Sequence, residues 1–154
     1  MFDNKNVSTL STLNSLIATT LDSVDGYRKA AEEANAAQFR ETFLNRANER
    51  QTIVAAFQAK VRELGGNPED DGTVLASAHR AFLGLRDALT GDRDDSAVVA
   101  EVERGEDHIK AKFESALKDG DLDAAVQQLI QTSFASVRDG HDQMSALKHQ
   151  LNAS

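Results

Sequence analysis

The residues best placed to do chemistry in this chain are a carboxylate and a guanidinium standing where apolar side chains belong. In the stretch Glu101-Val-Glu-Arg-Gly-Glu-Asp-His-Ile-Lys-Ala-Lys-Phe113, helical spacing puts Glu106 in the narrow stripe of Val102, Ile109 and Phe113. Glu103, Asp107 and His108 point away from it. Arg50 falls likewise near the centre of the arc formed by Phe43, Val54, Phe57 and Val61. Arginine hardly deprotonates, so burying it requires a carboxylate partner or a route for its stem to reach water. The expectation is a buried Arg50–Glu106 ion pair, with His141 or Tyr27 completing its hydrogen bonds. Such a pair adds little net stability but can select one helix register.

Inward carboxylates and histidines are also how helix bundles build metal sites, through Glu-x-x-His on two helices and single glutamates on two others. No Glu-x-x-His occurs here. The nearest arrangements are Glu103-x-x-Glu106, Arg138-x-x-His141 and Arg50-x-x-Ile53. A dinuclear centre needs several anionic oxygens, and a central guanidinium would oppose its two cations. The expectation is therefore no resident cofactor; the alternative is iron or manganese at a mononuclear or degenerate site made from Glu103, Glu106 and His141. His79, His108 and His149 read as surface or rim residues. Gly-x-Ser-x-Gly, P-loop and Gly-x-Gly-x-x-Gly motifs are all missing, so no catalytic residues are assigned and a non-enzyme is expected over an enzyme.

Long helices must position these groups. One proline, nine glycines and abundant Ala, Leu, Glu, Gln, Arg and Lys favour an all-α chain. A first helix spans about residues 8–34, capped by Ser8 or Thr9, on Leu10, Leu13, Ile17, Leu21, Val24 and Ala31, with Tyr27 on the flank. A second, about residues 36–64, ends at Gly65-Gly66-Asn67-Pro68. A short rod at about residues 73–89 is followed by Asp92, Asp94 and Asp95, which suit the positive end of the next helix, about residues 95–118. Asp119-Gly120-Asp121 makes a tight connector to the last, about residues 122–151, with His141 at the edge of its stripe. The four long helices and the short rod give an up-down bundle with a helical crossover, in a single domain over residues 1–154.

The balance of charge narrows the partners. A net charge of −8 leaves no basic block to neutralise phosphates, which argues against nucleic acid and acidic membrane surfaces. Without cysteines the chain has no disulfide or thiolate site. The N-terminus lacks a signal-peptide pattern and no apolar run approaches the ~20 residues of a membrane span. A soluble, cytoplasmic protein is expected.

Several short pieces carry a resemblance: Leu13-Asn-Ser-Leu-Ile17, Asp25-Gly-Tyr-Arg-Lys-Ala-Ala31, Glu49-Arg50, Leu64-Gly-Gly66, Ala78-His-Arg80, Ala88-Leu-Thr-Gly91, Glu103-Arg-Gly-Glu-Asp107 and His141-Asp142. In this order they resemble a family of small bacterial four-helix-bundle proteins of unknown function within the ferritin-like superfamily. The resemblance implies a ferritin-like bundle, and in the better-known branches, ferritins and rubrerythrins, a di-iron centre for ferroxidase or peroxidase chemistry. Laid out on a rubrerythrin-like pattern, Arg50 and Ile53 take the places of the second helix's Glu and His. Val24 or Asp25 stands near the first helix's Glu, Arg138 replaces the last helix's Glu, and His141 could match its His. Glu106 alone carries over as a ligand-type carboxylate. The function expected is a non-catalytic ferritin-like protein with a stress-associated or scaffold role, acting through self-association as a homo-oligomer, for which a dimer is the simplest form. The alternative is a metal-binding, iron-storage or oxidoreductase protein with a degenerate site.

Overall fold

Four helices account for almost all of the described residues, 4–70, 94–120 and 122–153, in the computed structural model of the chain. They are α1 (Asn4–Glu33), α2 (Ala37–Glu63), α3 (Asp95–Leu117) and α4 (Ala124–Ala153), and no strand occurs among the described residues. The short rod expected at residues 73–89 lies outside them.

Local chemistry explains the helix ends. At the end of α2, Gly65 adopts φ 86, a left-handed conformation that glycine enters without a Cβ penalty. That turn lets the Gly66 N–H reach the Val61 carbonyl at 2.9 Å and the Gly65 N–H reach that of Arg62 at 3.0 Å, a Schellman closure. Helix α3 starts with Asp94 as its N-cap, its carboxylate accepting from the Ala97 N–H at 2.9 Å. The expected start of α1 at Ser8 or Thr9 is displaced: the helix begins at Asn4, because nothing between Asn4 and Val7 interrupts it.

Two side chains fix the topology at opposite ends of the bundle. Asn14 of α1 donates to the Asn67 carbonyl at 3.1 Å and accepts from the Glu69 N–H at 2.8 Å, tying down the chain after α2. At the far end, the Asp95 carboxylate accepts from the N–H groups of Asn35 and Ala36 at 2.7 and 3.0 Å, so the first turn of α3 satisfies the backbone between α1 and α2. Asp70 and Asp94 therefore lie toward opposite ends of the bundle, and α2 and α3 run parallel. Ser96 meets Asn152 and Arg46 meets Gln143, which makes α4 antiparallel to both α3 and α2.

The apolar interior falls into two clusters. One holds Leu13, Ile17, Val54, Phe57, Ile109, Phe113, Ile130 and Val137; the other holds Val24, Tyr27, Phe39, Phe43, Val99 and Met144. Between them, in sequence on every helix, sits a polar layer.

Candidate functional site

Each helix contributes one residue to that layer: Ser23 from α1, Arg50 from α2, Glu106 from α3 and Gly140 from α4. Arg50 is 0 % exposed and Glu106 1 %. They make a two-pronged ion pair, Nη1 to Oε1 at 2.8 Å and Nη2 to Oε2 at 2.7 Å, and Nη1 also donates to the Ser23 hydroxyl at 2.8 Å. The Glu106 contacts outweigh the burial that works against the cation, so the Arg50 pKa is raised above its ordinary value. Arg50 Nε lies 3.9 Å from Glu49 Oε1, too far for a hydrogen bond, and has no other partner. The guanidinium carbon stands 5.6 Å from the centre of the Tyr27 ring, a cation–π distance.

The α4 contribution is an absence. A Cβ on Gly140 would collide with Arg50 Nη2 and stand 2.9 Å from Glu106 Oε2. The pair thus occupies the space of a missing side chain. Beside it, Arg46 donates to both Glu49 oxygens and to Gln143, and Ser136 donates to Glu49, so a second polar chain joins α2 to α4.

The other expected members sit differently. Tyr27, placed on the flank by its spacing, is 2 % exposed and lies inside the core. Its hydroxyl feels the Glu106 carboxylate, but no hydrogen bond of good geometry closes on it. Burial first and the Glu106 charge second push its pKa well above the usual tyrosine value. His141 does not complete the buried pair. It lies at the rim, bonded to Asp107 at 2.7 Å and Asp142 at 3.2 Å. Partial burial opposes its charged form, but those two carboxylates prevail and its pKa is raised. Glu103 pairs with Lys148 at 3.2 Å.

The three alternative metal ligands are therefore dispersed. Glu103 belongs to Lys148, Glu106 to Arg50, and His141 to the surface. Val24 is buried in the apolar cluster containing Tyr27, Ile53 in the other, and Asp25 and Arg138 are exposed. No group of three His, Cys, Asp or Glu among the described residues is arranged to hold a metal ion. The donor set of the polar layer does not fit a di-iron or di-manganese centre: it offers one carboxylate, already taken by a guanidinium whose charge repels cations.

Spacing within single helices did not expose the remaining feature. Helices α1 and α3 part to leave a cleft of about 460 Å³, lined among others by Asp22, Tyr27, Lys29, Arg104 and Glu106. Asp22 is half-buried as a whole, yet its Oδ2 is shielded from solvent and has no hydrogen-bond partner. Burial, then the nearby Asp25, push its pKa up to about 7. The glycines within two helices, Gly26 and Gly105, were the available signal, since both line this cleft.

The crystal structure of Dps from Thermosynechococcus elongatus superposes on this chain with a TM-score of 0.71 at 14% sequence identity, covering 93% of this chain and 91% of that one. At that identity the likeness establishes the fold, a ferritin-like four-helix bundle. No curated protein matches the sequence. The family model described as a domain of unknown function, DUF2383, matches residues 8–119, and the chain belongs to that family.

Proposed function

We propose that this protein is a non-catalytic ferritin-like scaffold, cytoplasmic and self-associating as a homodimer, in which an ion pair replaces the metal centre. The observation that carries the reading is the Arg50–Glu106 pair: both carboxylate oxygens of the inward anion are engaged by a cation in the polar layer. Such a pair selects register and leaves no anionic cage for iron.

The surface that supports dimerisation is a hollow between α2 and α4. Phe39, Leu147 and Leu151 form its apolar part, beside Gln38, Thr42, Gln143 and Gln150, with no charged residue in its lining. Two copies, each carrying a net charge of −8, repel each other wherever acidic faces meet. An uncharged patch whose amides both donate and accept can instead face itself across a two-fold axis.

Two measurements test the reading. Light scattering after gel filtration should find a dimer, and the double variant Gln38→Glu/Gln150→Glu, placing like charges on both sides, should be monomeric. A monomeric parent overturns the dimer. Metal analysis of protein purified without chelator should find iron and manganese well below one per chain; two tightly held ions per chain, with ligands from three helices, overturn the metal-free reading.

A further inference from the structure

The α1/α3 cleft plays no part in the proposed scaffold function, and the balance of its charges points to a ligand. Helices packed in a bundle normally close on each other through interlocking side chains. Here one exposed glycine on each wall, Gly26 and Gly105, leaves the gap open, and a Cβ on either would meet nothing within 4 Å. The walls are mostly apolar, with Ala30, Val98, Val102 and Ile109 among them. Along α1 the cleft reaches from Thr19 to Glu33, roughly 20 Å at a rise of about 1.5 Å per residue. At about 460 Å³ its volume falls in the range of small-molecule sites, roughly 300–1,000 Å³.

The carboxylates of the lining are accounted for one by one. Both oxygens of Glu106 are taken by Arg50, at 2.8 and 2.7 Å. Glu33 and Glu101 have partners of their own. Burial, then the nearby Asp25, push the Asp22 pKa up to about 7, so at pH 6 this carboxyl is mostly protonated. Among the bases, Lys29 is shared with Glu32 at 3.8 Å, and His108 adds no negative charge in either of its forms. Arg104 differs from all of these. It lines the cleft from an exposed position and has no ion pair or hydrogen bond among the described residues. The uncompensated charge at the cleft is therefore positive.

We infer that the α1/α3 cleft binds a carboxylate carrying an unbranched apolar chain, the chain against Ala30, Val98 and Val102 and the carboxylate on the Arg104 guanidinium. Burial of the chain supplies most of the affinity, because the walls offer it apolar surface already held open by the two glycines. The guanidinium presents a planar fork of N–H donors that fits both oxygens of a carboxylate, and it selects the head group. Asp22 Oδ2 and the Tyr27 hydroxyl are shielded and take no part. A neutral alcohol buries the same chain and leaves Arg104 unpaired. An ammonium head group meets Arg104 as a like charge.

The test is a titration of the full-length protein, labelled with nitrogen-15, against sodium octanoate, octanol and octylammonium chloride at pH 6, following the Gly26 and Gly105 amides by NMR. Octanoate should give saturable shifts at both glycines and bind about two- to fivefold tighter than octanol, the size of an exposed ion pair. Octylammonium should bind more weakly than octanol. Arg104→Gln should abolish the preference for acid over alcohol and leave octanol binding unchanged. Gly105→Leu fills the cleft while improving helix propensity, and should remove binding of both. Absence of saturable shifts with octanoate, octanol or octylammonium binding as tightly as octanoate, an acid preference that survives Arg104→Gln, or unchanged binding in Gly105→Leu overturns the assignment.

Discussion

Gly140 and Arg50 form one structural unit: the guanidinium lies where a side chain on Gly140 would have to go. A glycine inside a helix is about 1 kcal/mol less favourable than alanine. At position 140 that penalty is offset by the approach of α4 to the ion pair, which lets Arg50 and Glu106 be covered without being forced apart. The layer then separates two apolar clusters, and any slip of one helix along another would move a charge into one of them. Register is where the pair acts.

Gly140→Ala should therefore destabilise the fold by about 1–3 kcal/mol, as overpacking does, despite the gain in helix propensity. Gly26→Ala and Gly105→Ala, where a Cβ meets open space, should stabilise it by about 0.5–1 kcal/mol. Urea unfolding of the three variants decides the matter by sign; a stabilising Gly140→Ala means the close approach carries no energetic weight.

The ion pair makes an asymmetric prediction. Glu106→Ala strands a buried guanidinium and should lower stability by about 3–5 kcal/mol, whereas Arg50→Met combined with Glu106→Leu should be near neutral or better. A double-mutant cycle in urea measures the coupling directly. A loss below about 0.5 kcal/mol for Glu106→Ala, the size of an ordinary surface change, would remove Glu106 from the interior.

Asp22 links stability to pH in the sense opposite to a paired carboxylate. Its folded pKa of about 7 lies above the ordinary aspartate value of 3.8, so between those values the folded state holds a proton that the unfolded chain has released. The contribution is fully present below about pH 4 and declines as pH rises toward 7. Asp22→Asn should flatten the stability profile over that window and exceed the parent in stability at pH 8. Thermal unfolding across pH 4 to 8 checks this, and parallel curves for parent and variant would contradict the buried oxygen.

His141 should behave as a rim residue. Its raised pKa means that its pairing with Asp107 and Asp142 supports the fold below the unfolded histidine value, and that support fades as pH rises through the folded one. His141→Ala should change stability by no more than about 1 kcal/mol, the range of exposed pairs. A larger loss, comparable to that of Glu106→Ala, would place His141 in the buried layer after all.

Much of this was legible along single helices. The spacing of Phe43, Val54, Phe57 and Val61 sets the angle at which Arg50 leaves α2, and Val102, Ile109 and Phe113 do the same for Glu106 on α3. Two opposite charges on inward stripes of one bundle have strong reason to meet, since each alone is costly to bury. The bounding signals, Gly65 with Gly66 after α2 and Asp94 before α3, are equally local, because caps and turns are chemistry between neighbours in sequence.

What the sequence by itself determined, then, is the set of four helices, their inward faces and the presence of two charges on those faces. Only the tertiary structure decided which residue of α4 meets the pair. Gly140 and His141 differ by one position, about 100° of helix, and the inward direction there depends on how closely α4 approaches α2 and α3, a distance no single helix encodes. The same reason moved Tyr27 from the flank into the core and left Asp22 shielded. A cleft is a property of the separation between α1 and α3, and a periodicity measures angle around one helix, not the distance to the next.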